Sequence, residues 1–155
     1  AAILLNLMAC SGDSVQPVPL DLLLGSEDFP GLAVTATGGE AGETTGAEPA
    51  VQVELTGPGF KVLESLVLFE TKDQALGILA GIKQDMAALG TNAAPIDGFQ
   101  DISGIDANSS LDGEAASTLF FVEDRALVRL TVAGPAWHAR IIDLSETARD
   151  KASRQ

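Results

Sequence analysis

Apolar residues in this chain recur with two periods, separated by stretches rich in Gly, Pro, Thr and Asp. Val51 to Leu55 (VQVEL) alternates with period two, as a half-buried strand does. Lys61 to Glu70 reads as a longer strand, and Val67, Leu68 and Phe69 imply burial on both faces at its end. Leu32 to Thr37 alternates enough for a first strand. Gly38 to Ala50 has no large apolar residue and is expected to be a flexible loop. Ala116 to Glu123 and Ala126 to Ala133 are β-rich runs, joined as a hairpin through Glu123-Asp124-Arg125. Thr91 to Ile105 is turn-rich, with a short strand expected at Phe99 to Ile102.

Elsewhere the period is helical. Thr71 can cap a helix whose apolar positions are Ala75, Leu79, Ile82, Met86 and Leu89, with Gly90 as its stop. Gly77 and Gly81 inside it suggest close packing onto the sheet. Leu20 to Leu24 makes one or two helical turns before Gly25, and Phe29-Pro30-Gly31 is a turn. Pro135 suits the first position of a C-terminal helix with Trp137, Ile141, Leu144 and Ala148 as its apolar stripe. Arg149, Lys151 and Arg154 complement that helix's C-terminal dipole end. The expected fold class is α+β, a mostly antiparallel sheet of five to six strands with two long helices packed on one face. No internal repeat is visible in the sequence.

Composition narrows the function classes. The 155 residues carry a formal charge of −13, and no Lys or Arg occurs before Lys61. Arg125, Arg129, Arg140, Arg149, Lys151 and Arg154 make the last segment mildly basic. Such a balance argues against nucleic-acid binding, which needs clustered bases against phosphates. With 46% hydrophobic and 20% charged residues the chain is globular, and its length suits one domain.

The first residues, AAILLNLMA, form an uncharged run too short to span a membrane. Cys10, the single cysteine, follows and precedes a polar Ser11-Gly12-Asp13-Ser14 stretch. Leu7-Met8-Ala9-Cys10 resembles a bacterial lipobox, with an aliphatic residue three before the cysteine and a small one just before it. The resemblance implies a thioether from the Cys10 thiol to a diacylglycerol, cleavage before Cys10, and membrane attachment through the lipid. On this reading residues 1–9 are the end of a truncated signal peptide, 10–19 the lipidated Cys and tether, and 20–155 one domain. Ser11, not Asp, follows the cysteine, so by analogy with proteobacterial sorting no inner-membrane retention signal is expected.

Candidate chemistry is thin. His138 stands alone beside Trp137, and Ser109, Ser110 and Ser117 lie in no nucleophile elbow. Asp106, Asn108, Ser110, Asp112 and Glu114 alternate as oxygen ligands would in a calcium loop. Leu111 stands where that loop needs Gly and Ser117 where it needs Glu, so no metal is expected. A hydrolase built on carboxylates alone would need Asp101 beside Asp106 or Glu114. No catalytic residue and no cofactor is therefore expected. Trp137 could line a ligand groove between helix and sheet.

Further resemblance lies in the body of the chain. Leu22-Leu23-Leu24 with Glu27-Asp28-Phe29-Pro30-Gly31 is similar to the opening of small bacterial envelope lipoproteins. Ser65 to Glu70, and Leu119 to Val122 followed by Ala126 to Leu130, resemble their strand-to-helix and hairpin segments. The layout also resembles PsbP-like lumenal proteins and extracellular sensor domains of bacterial kinases. These resemblances imply a non-enzymatic, lipid-anchored domain outside the cytoplasm that binds a small ligand or an envelope protein. The alternative is a structural or assembly subunit of an envelope or electron-transfer complex.

Overall fold

The computed structural model describes residues 19–42, 46–90, 96, 98–99 and 103–155. Six strands, β1 (Thr35–Gly42), β2 (Ala50–Gly57), β3 (Phe60–Leu68), β4 (Ser103–Leu111), β5 (Glu114–Glu123) and β6 (Ala126–Ala133), form one antiparallel sheet. Helix α1 (Lys72–Ala88) follows β3 and helix α2 (Ile141–Ala152) follows β6. The sheet order β1-β2-β3-β6-β5-β4 joins two three-stranded meanders along a β3–β6 seam, paired from Lys61↔Ala133 to Leu68↔Ala126. The α+β class and the antiparallel sheet agree with expectation.

The helices do not share a face. Val128, Leu130 and Val132 of β6 point with Leu119 and Phe121 into a core covered by α2, through Ile141, Leu144, Ala148 and Ala152. Leu127, on the opposite side of β6, joins Val122, Phe69 and the α1 residues Ala75 and Leu79 in a second core. The cause lies in β5 and β6, whose apolar residues occupy both alternating sets, so both faces need cover. One helix cannot supply it.

Other boundaries also differ from the sequence pattern. β1 runs on through Gly38 to Gly42, where a loop was expected. All eight of its residues are exposed, because it is an edge strand held by backbone pairing with β2 rather than by burial. β4, at Ser103–Leu111, was not expected, and residues 100–102 of the strand expected at Phe99 to Ile102 lie outside the described residues. Its hairpin to β5 turns through Asp112-Gly113, at φ 52° and 82°. Asp-Gly is the pair that accepts two left-handed residues in a tight turn.

Helix α1 begins as the pattern implies. The Gln74 N–H donates to Thr71 Oγ1 at 3.2 Å, and the Thr71 N–H donates to Gln74 Oε1 at 3.1 Å, a reciprocal cap. Gly77 and Gly81, however, do not mark close packing. A Cβ added at either would meet nothing within 4 Å. Helix α2 starts at Ile141, after a turn at 135–137 and one turn of 3₁₀ helix at His138–Arg140, not at Pro135.

Candidate functional site

The turn that precedes α2 determines where Trp137 lies. The Trp137 N–H donates to the Gly134 carbonyl at 3.1 Å, and the Arg140 N–H donates to the Trp137 carbonyl at 2.8 Å. His138 Nδ1 lies 3.0 Å from the same Gly134 oxygen, so its ring is tied to the turn. Trp137 stacks on Phe60 at 4.0 Å between ring centroids, and Phe60 stacks on Phe29 at 5.2 Å. Three aromatic residues from the ends of the sheet, the N-terminal turn and the α2 approach thus form one stack. Such stacking adds about 1 kcal/mol per pair beyond burial.

Beside this stack opens a cleft of about 320 Å³, lined by Phe29, Pro30, Leu32, Trp137, Leu144 and Thr147 with Asp28, Arg140 and Asp143. Its volume falls at the lower end of the range for small-molecule sites. The Arg140 guanidinium lies 4.6 Å from the Trp137 ring centroid, covering one face of the indole. The cleft therefore offers aromatic and aliphatic surface with one cation and two carboxylates around it.

A buried polar group fixes the N-terminal wall of the cleft. Lys151 of α2 is buried and donates to Asp28 Oδ2 at 2.6 Å, Glu27 Oε1 at 2.7 Å and the Leu23 carbonyl at 3.1 Å. The Gly25 N–H also donates to Asp28 Oδ2, at 2.8 Å. Burial pulls the Lys151 pKa down, but its hydrogen bonds to Asp28 and Glu27 outweigh that and hold it above its ordinary value. The hydrogen bond from Lys151 holds the Glu27 carboxyl below its usual range.

Glu64 lies on the same face and has no exposed surface. Its Oε2 accepts from the Leu24 N–H at 2.6 Å, while Oε1 has no partner. Burial, the largest influence, pushes its pKa up to about 8. It lines no part of the Trp137 cleft and meets no solvent, so it has no route to act on a substrate there.

The other residues singled out from the sequence are scattered. Leu7, Met8, Ala9, Cys10 and Asp101 lie outside the described residues. Asp106, Asn108 and Ser110 belong to β4, Asp112 to the turn and Glu114 to β5, which is a hairpin and not the helix-loop-helix of a calcium loop. The period-two alternation of that run is the signature of a strand. Asp112 is engaged by Lys61. Phe29, Phe60, Arg140, Glu64 and Lys151 were not marked as site residues by sequence reasoning. Glu64 alone had a signal, two residues from Val62 and from Leu66 on one strand face.

No protein-family model and no curated protein sequence matches the chain. Among solved structures, the extracellular domain of PknH from Mycobacterium tuberculosis is similar, with a TM-score of 0.58 at 15% identity. The match covers 90% of this chain and 99% of that one. At this identity the likeness is one of fold, and it agrees with the layout expected of kinase extracellular sensor domains. Among the described residues, no helix is long and apolar enough to cross a membrane.

Proposed function

We propose that this chain is a non-enzymatic binding module of the bacterial envelope, lipid-anchored through Cys10 and exposing its α+β domain outside the cytoplasm. The aromatic-walled cleft at Trp137 carries this reading, because it joins a preformed apolar cavity to a few polar groups that can orient a small molecule. The fold likeness to an extracellular domain and the Leu7-Met8-Ala9-Cys10 motif support the location. The ligand is a small molecule with an aromatic or apolar body.

Trp137 is the chain's one tryptophan, so its emission reports on the cleft directly. Titration with anilinonaphthalene sulfonate is expected to quench it saturably, and Leu32→Glu is expected to weaken that quenching several-fold. Quenching without saturation would oppose a cleft site. For the anchor, Cys10→Ala is expected to abolish labelling by a clickable fatty acid in a bacterial host. Labelling that persists would overturn attachment through Cys10. A stoichiometric protein recovered by membrane crosslinking, with no small-molecule binding, would favour an assembly subunit instead.

A further inference from the structure

Strand β6 is central in the sheet, and seven of its eight residues are buried; Arg129 is the exception. It faces the side of the sheet covered by α1. Across the sheet it pairs with Ser65 of β3 and Phe120 of β5, and the row beside it holds Val67, Leu127 and Val122. Helix α1 covers only part of this face, burying Ala75 and Leu79 but leaving Ile82 half-buried. The uncovered part is a hollow of about 330 Å³, with Val67, Leu127, Phe120 and Ile82 as apolar surface and Ser65 and Arg129 as polar groups.

The electrostatics of this hollow differ from those of the rest of the molecule. In a chain of charge −13, none of the residues lining it is acidic. Lys61, Arg149 and Lys151 are all held by carboxylates. Among the described residues Arg129 has no ion pair, and its guanidinium lies 5.8 Å from the Phe120 ring centroid. A guanidinium retained without an acidic partner, beside apolar surface, is complementary to an anion that carries an apolar tail.

We propose that this hollow is a second binding site, which takes a small amphipathic carboxylate: the carboxylate on Arg129 and Ser65, the short apolar tail along Val67, Leu127 and Ile82. The site is on the opposite face from the Trp137 cleft and stands independently of it. The volume limits the ligand to a short tail, since it falls near the lower bound for small-molecule pockets.

Calorimetric titration of the full chain with octanoate, and with uncharged octanol, tests this. Saturable octanoate binding is expected, about tenfold or more weaker for octanol and for Arg129→Gln, since a charge-assisted pair is lost in both. Arg129→Lys should fall between, keeping the charge without the fork. Arg129 is exposed, so Arg129→Gln is expected to melt as the parent does. Leu32→Glu, in the other cleft, should leave octanoate binding unchanged. Equal affinity of octanoate and octanol, equal affinity of Arg129→Gln and parent, loss through Leu32→Glu, or no saturation at all would each overturn the proposal.

Discussion

Glu64 shows how much one side chain can depend on its register. Its strand neighbours Val62 and Leu66 are fully buried, and period two forces Glu64 onto the same face. A carboxylate without solvent and with one oxygen unpartnered favours its neutral form. Its pKa in the folded chain, about 8, stands above the ordinary 4.5. Through that window the folded chain holds a proton that the unfolded chain has released, so stability falls as pH rises and levels off above it. The slope is bounded by about 1.4 kcal/mol per pH unit. Glu64→Gln keeps an acceptor for the Leu24 N–H and removes the titration. Urea denaturation across neutral pH is expected to give a flatter stability profile for the variant than for the parent; identical slopes would contradict the assignment.

At the scale of elements, Lys151 ties the C-terminal helix to the N-terminal turns at Leu20–Leu22 and Ser26–Asp28. Lys151→Met would leave the Asp28 carboxylate largely buried without its cation, at a cost of about 3 kcal/mol. Chemical denaturation should report that loss, and amide exchange should rise first at residues 20–31. Helix α1 gives a paired comparison. Leu79 is 2% exposed and Ile78 is 43% exposed. Leu79→Ala is expected to cost about 2–5 kcal/mol and Ile78→Ala under about 1 kcal/mol, measured as denaturation midpoints. The sequence disclosed α1, β2 and β3 because each buries one regular stripe, and β5 and β6 because each is a continuous apolar run bounded by turn residues. β1 was cut short and β4 missed for a different reason: β1 buries nothing, and in β4 a polar alternation resembled ligands more than a strand. Trp137 was legible as a groove candidate. Its partners Phe29 and Phe60 were not, because they are 31 residues apart in sequence and meet only through the fold.

For the whole molecule, two cores share the same central strands, so neither face can unfold while leaving the other intact. Trp137 reports only on the α2 face, whereas circular dichroism reports on the whole sheet. The two signals are expected to give coincident urea transitions. Separated transitions would mean that the α1 layer melts alone. The charge of −13 is carried by a molecule in which, among the described residues, Lys61, Arg149 and Lys151 are held by carboxylates and Arg129 and Arg140 lie against aromatic rings.

The β3–β6 seam bears on the speed of folding as well as on architecture. Within the meanders, β2–β3, β4–β5 and β5–β6 can zip up through short turns, at Pro58-Gly59, Asp112-Gly113 and Asp124-Arg125. The seam cannot, since Lys61 must find Ala133 across the whole of α1 and the second meander. Closing so long a loop costs entropy before any contact repays it. The two halves should therefore form early and their junction late. A destabilising change in the Asp112-Gly113 turn should therefore slow refolding, while one at Val62 or Val132 that leaves both meanders intact should act mainly on unfolding.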